Sequence, residues 1–189
     1  MVWAHRYLPW SQERDALLRL YRSGLDEQRR PSRFFLGDLL PTNLVGGAAG
    51  VAARAADWQF GSLLPPSCTA CSDSAQLTEL VEWRLTHDTG VRDAFQATDG
   101  DATSRFFAPF PTQVDYRDAV LAAHGPVTAA HPERYRRFVR SGDDSHTAIA
   151  DDTFYTATAD GVPLYSWVGE FVSGGAGWVD VVEDFVPLP

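Results

Sequence analysis

The apolar positions of this chain recur at two different periods, and the alternation between them predicts its fold. From Gln12 to Asp26, the residues Ala16, Leu17, Leu20 and Tyr21 fall on one face at helical spacing. Ser11 precedes that run as an N-cap, and Gly24 and Pro31 bracket its end. Arg33 to Leu36 is a short run suited to a buried strand, closed by Gly37 and Asp38. Val45 to Trp58 is alanine-rich and predicted helical. A Pro- and Ser-rich loop follows over residues 61–74. Ala75 to His87 is the clearest amphipathic helix, with Leu77, Leu80, Val81 and Leu85 on one side. Arg92 to Thr98 reads as a strand running into the polar turn Asp99-Gly100-Asp101. Val114 to His124 reads as a helix, Tyr135 to Val139 as a strand, and Leu164 to Val172 as a final helix ended by Gly174 and Gly175. With a candidate strand at Met1 to Leu8, this order implies an α/β fold: a mostly parallel sheet with flanking helices. Residues 1–189 read as a single domain without internal repeats.

Ligands of such sheets sit outside the carboxyl ends of the strands. That singles out residues 98–102 and 141–147, the loops after two successive predicted strands. They carry Asp101 and His146. A carboxylate beside an imidazole accepts its Nδ1–H, fixes its tautomer and stabilises the imidazolium. The chain order Asp then His is the one that follows a nucleophilic Ser in α/β-hydrolases. The plainer alternative also stands: an Asp beside a Gly shapes a turn, and a His in a Ser- and Asp-rich loop is simply solvated. Asp99 is a second candidate for the acid.

Composition narrows the function classes. The chain has 189 residues, 44% of them apolar, enough for a buried core. Its 16 basic residues, all Arg, face 25 acidic ones, a formal charge of −9. Such a surface repels phosphate backbones and anionic bilayers, so no nucleic acid and no membrane is expected as partner. The N-terminal residues lack a basic segment followed by an apolar core, so a cytoplasmic location is expected, or a secreted one if the natural chain starts earlier. Cys68 and Cys71 are half of a tetrahedral zinc site with nothing nearby to complete it, and they predict a loop staple or two free thiols. The five His are scattered without ligand spacing, so neither a metal nor a cofactor is implied.

Thr98 to Phe107 resembles the acid-bearing segment of the pectin acetylesterase family, which includes the Notum-like carboxylesterases. In that family a strand ends in small polar residues, then the Asp, then a helix bearing aromatics. Tyr135 to Thr147 resembles the family's strand and loop leading to the catalytic His. Phe154-Tyr155 and Gly161 to Val168 are similar to its closing segment, and residues 64–71 to a cysteine-bearing loop of bacterial members. The similarity spans roughly residues 58–172, and more weakly 11–57. It implies the C-terminal half of an α/β-hydrolase, a partial sheet of that type, and a serine-hydrolase carboxylesterase acting on a small-molecule or polysaccharide ester. It implies Asp101 as triad acid and His146 as triad base.

The chain departs from the family at the nucleophile. No Gly-x-Ser-x-Gly occurs, and the Ser in the corresponding topological place is Ser11, in Pro9-Trp10-Ser11-Gln12-Glu13. Pro9 and Glu13 replace both glycines where an elbow tolerates little bulk. Ser11 therefore reads either as nucleophile or as plain helix cap. The alternative to an esterase is a truncated or catalytically decayed homologue acting as a binding or interaction module. An incomplete sheet would expose an edge strand and predicts self-association through it.

Overall fold

A computed structural model describes residues 65–72, 77–107, 110–148 and 152–189, together with the backbone of 33–37. The expected strand at Met1 to Leu8, the helices at Gln12 to Asp26 and Val45 to Trp58, and Ser11 itself lie outside the described residues. The described part is α/β. Strands β1 (Arg33–Gly37), β2 (Val91–Thr98), β3 (Tyr135–Arg140) and β6 (Val181–Val182) form a sheet in that spatial order. Every neighbouring pair is parallel. The helices are α1 (Leu77–His87), α2 (Ala102–Phe107), α3 (Gln113–Ala130), α4 (Thr153–Thr156) and α5 (Leu164–Ser173). None of the described helices is long and apolar enough to cross a membrane.

β2 is buried along nearly its whole length, as a central parallel strand with covered faces must be. Because successive side chains alternate between faces, it feeds two cores. Val91, Phe95 and Ala97 join Tyr135 and Val139 of β3 under Val81 and Leu85 of α1 and Tyr116, Val120 and Val127 of α3. Ala94 and Phe138 face the other way and pack with Leu164, Trp167 and Phe171 of α5, and with Trp178 and Val181. The sheet is thus a middle layer with helices on both sides.

Helix α3 runs longer than its apolar pattern predicts, to Ala130, with Pro126 inside it. Its buried face, Gln113, Tyr116, Val120, His124 and Val127, repeats every three or four residues. The Thr112 hydroxyl caps it, accepting from the Asp115 amide at 3.1 Å. His124 is a core residue: its ring stacks on Phe95 at 3.7 Å and its Nδ1 meets the Tyr135 hydroxyl at 2.6 Å. Burial pushes the Tyr135 phenol far up, so it is neutral there. Helix α5 ends at Gly174, which takes a left-handed conformation (φ 72°) that favours glycine, and a Cβ there would push the Arg92 guanidinium aside.

Two short elements carry weaker signals. β4 (Thr158–Ala159) and β5 (Val162–Pro163) form a hairpin across Asp160-Gly161, both residues at positive φ. Asp-Gly is the residue pair such a two-residue turn selects. Cys68, just ahead of a short 3-10 helix over Thr69–Ser72, is joined in a disulfide to Cys71 within it. The pair is the loop staple, not free thiols.

Phe138 is fully buried at the centre of one core. Phe138→Ala should cost about 3–5 kcal/mol, read as a lower urea midpoint with unchanged slope. Val172→Ser on the exposed side of α5 should stay within about 0.5 kcal/mol. A loss under about 1 kcal/mol at Phe138 would contradict the packing. The disulfide closes a loop with a sequence separation of only 3. Chain entropy for so short a loop gives about 2 kcal/mol, so reduction should lower the midpoint modestly without unfolding the chain.

Candidate functional site

The register of β2 on β3 brings the two loops of interest together. Pairing runs from Asp93 and Tyr135 to Thr98 and Arg140, so both strands end at the same level. The Asp99 amide continues the ladder to the Arg140 carbonyl at 2.9 Å. Beyond the bond from the Ser141 hydroxyl to Asp99 at the base of the loops, three more stitch loop 98–102 to loop 141–146. The Thr98 hydroxyl donates to the Ser145 carbonyl at 2.5 Å, and the Ala102 amide to the Asp144 carbonyl at 3.0 Å. The third is between the side chains of Asp101 and His146.

That third bond joins His146 Nδ1 to Asp101 Oδ2 at 2.8 Å. A carboxylate only accepts, so Nδ1 carries the proton and Nε2 of the neutral ring is left as an acceptor. Nε2 bonds to no described residue, and the His146 side chain is 43% exposed. Asp101 is completely buried. Its Oδ1 accepts from the Ser104 amide at 2.8 Å and its Oδ2 from the Ser104 hydroxyl at 2.6 Å. Asp101 is therefore also the N-cap of α2, which explains why a helix starts at this point. A buried carboxylate needs such donors, since each unmet acceptor would cost on the order of 1–3 kcal/mol.

Asp99 takes a different part. Its Oδ1 accepts from Gln113 Nε2 at 2.8 Å, and its Oδ2 pairs with Arg117 Nη1 at 2.8 Å and with the Ser141 hydroxyl. It has no bond to His146. Of the two acid candidates, the geometry joins Asp101 to the imidazole and commits Asp99 to a fixed guanidinium. Ser11, the candidate nucleophile, lies outside the described residues.

Asp143 holds the loop that carries His146. It pairs with Arg140 and accepts from the Ser145 amide at 2.6 Å. Partial burial alone would raise its carboxyl, but the bonds from Ser145 and the Arg140 charge outweigh that and hold it below the ordinary carboxylate range. Gly100 sits where the loops approach most closely: a Cβ there would collide with the Asp143 carbonyl and press on Leu188. Sequence reasoning found Asp101 and His146 but not Ser104, Thr98 or Asp143. The spacing Asp101-x-x-Ser104 ahead of a helix was the available signal for the first.

A depressed carboxyl contributes stability that is full above its unfolded pKa and disappears as pH falls through the folded one. Asp143→Asn should therefore be less stable than wild type at neutral pH. The gap should persist down to about pH 4 and close below it, followed by urea unfolding at several pH values. A gap that stays constant down to about pH 2 would contradict the assignment. Comparisons with protein-family models, with curated proteins and with solved structures return no match, and the Asp101–His146 geometry is what a functional reading of this chain stands on.

Proposed function

We propose that this chain is a serine-hydrolase-type carboxylesterase in which Asp101 orients His146 as the general base, in the manner of the pectin acetylesterase and Notum-like family. The observation that carries this is the 2.8 Å bond from the protonated Nδ1 to a fully buried carboxylate, with Nε2 unpartnered among the described residues. The pair stands at the carboxyl ends of adjacent parallel strands, where a partial α/β-hydrolase sheet would have it. In the proposed reaction a serine hydroxyl attacks the ester carbonyl while His146 Nε2 takes its proton. The same nitrogen returns that proton to the departing alkoxide, leaving an acyl-enzyme. Water then attacks the acyl carbon, giving its proton to Nε2, which passes it to the departing serine oxygen as the acid leaves and the free serine is restored. Ser11 is the proposed nucleophile. The substrate is an ester of a small molecule or a polysaccharide, and the reaction needs no metal or cofactor.

A second reading is favoured by one observation. Asp101 caps α2 through Ser104, so its bond to His146 also works as a loop fastener in a non-catalytic relative that serves as a binding module. The two readings separate in one set of measurements. Under the esterase reading, wild type turns over p-nitrophenyl acetate, and His146→Ala and Asp101→Asn lose on the order of 10³–10⁴ in kcat. Ser11→Ala should lose as much. Equal background rates for wild type and His146→Ala, with a lower unfolding midpoint in the variant, would leave only the fastener role.

A further inference from the structure

The C-terminal tail is tied across the strand ends beside this pair. The Val186 amide donates to the Ser141 hydroxyl at 2.7 Å, and that hydroxyl donates to Asp99 Oδ2. The Leu188 amide donates to Gln113 Oε1 at 2.9 Å, while Gln113 Nε2 bonds both Asp99 and the Val186 carbonyl, the latter at 3.0 Å. Arg117 bridges Asp99 to the Glu183 carbonyl, and the Glu183 carboxylate receives the Ser141 amide at 2.9 Å. Asp99 is 1% exposed and its bond from Gln113 is buried, so that bond forms out of water, where it is stronger and its loss dearer, while the bonds of the tail lie nearer the surface. Ser141 is the first residue of the loop that ends at His146, and Asp99 is two residues ahead of Asp101.

We propose that Asp99 and Ser141, with the tail segment Glu183 to Leu188 that they anchor, are positioning residues for the Asp101–His146 pair. The proposal rests on the esterase reading of that pair. Neither residue touches the imidazole. Asp99 fixes where loop 98–102 leaves β2, by binding α3 through Gln113 and Arg117. Ser141 fixes where loop 141–146 leaves β3, by binding Asp99 and the tail together. Two loops leaving adjacent strands keep a 2.8 Å bond at their tips only while both bases are held. Their separation by as little as about 1 Å is enough to cost on the order of 100-fold in rate.

Two readouts test this. The first is the downfield proton resonance of His146 Nδ1–H in the Asp101 bond, observed on the full chain whether or not it turns over an ester. The second is p-nitrophenyl acetate hydrolysis, with kcat and KM separated. Ser141→Ala should broaden or shift the resonance upfield and lower kcat about 10-fold, with KM changed less than about 2-fold. Ser141→Thr, which keeps the hydroxyl, should restore both. Asp99→Asn should lower kcat about 100-fold. Should Asp99→Asn fail to fold, Ser141→Ala and its threonine rescue carry the test alone. A folded Ser141→Ala with an unchanged resonance and wild-type kcat would overturn the proposal. If His146→Ala matches wild type in hydrolysis, the esterase reading falls, while the resonance still decides whether Ser141 positions the pair.

Discussion

The structure depends on the parallel register between β2 and β3. Six consecutive residue pairs, from Asp93 with Tyr135 to Thr98 with Arg140, set both the cores and the site. A slip of one residue would move every side chain of one strand to the other face. Phe138 would leave the α5 side, where Trp167 and Trp178 surround it, and enter the side filled by Tyr116 and Val120. It would also shift the base of the His146 loop by about 3.3 Å along the sheet, breaking its bonds to loop 98–102. The hydrophobic core and the placement of the imidazole are therefore one constraint, enforced by the burial of both faces of the central strand.

At the end of that register stand two buried carboxylates with opposite partners. Asp99 meets Arg117, a guanidinium that keeps its charge at any working pH, and so forms a fixed joint among β2, α3 and the tail. Asp101 meets an imidazole instead, with His146 Nδ1 2.8 Å from its Oδ2. The absence of lysine fits the same economy of geometry. Arg84 on Asp93 and Arg137 on Asp180 each use two nitrogens of a planar fork, and Arg117 spreads its two nitrogens over Asp99 and the Glu183 carbonyl, arrangements that an ammonium cannot supply. Asp93 shows what such a fork compensates: burial pushes its carboxyl up, and the Arg84 and Arg134 charges pull against that without cancelling it.

The sequence made the layered α/β order legible because the elements that build the layers, β2, β3, α1, α3 and α5, are long enough to show a period. The strand at Arg92 to Thr98 and the helix at Ala75 to His87 are found within a residue or two of their predicted places. The helix expected to stop at His124 continues to Ala130, because Thr128 bonds the His124 carbonyl and tertiary packing of Val127 carries it past Pro126. The hairpin at Asp160-Gly161 and the two-residue strand β6 were not legible from periodicity, since two residues show no period. Asp101 and His146 were legible from their order and their place after strands. The assignment of Asp99 was not, because Gln113, Arg117 and Ser141 reach it from 14, 18 and 42 residues away. Cys68 and Cys71 left two outcomes open, and proximity in one turn decides for the disulfide.

The double role of Asp101 is best understood as preorganisation. A carboxylate on a free loop has two soft torsions, and holding it against an imidazole costs conformational entropy each time the pair forms. Here the Ser104 amide and hydroxyl grip both oxygens, and α2 grows directly from that grip. The acceptor is in place before the imidazole meets it, so the energy of the 2.8 Å bond is not spent on ordering the acid. The imidazole is the exposed partner, and its Nε2 bonds to no described residue. A helix cap and a partner that orients an imidazole make the same demand on a carboxylate, namely a fixed direction under burial. A single buried carboxylate meets both demands, capping α2 through Ser104 and holding the His146 ring.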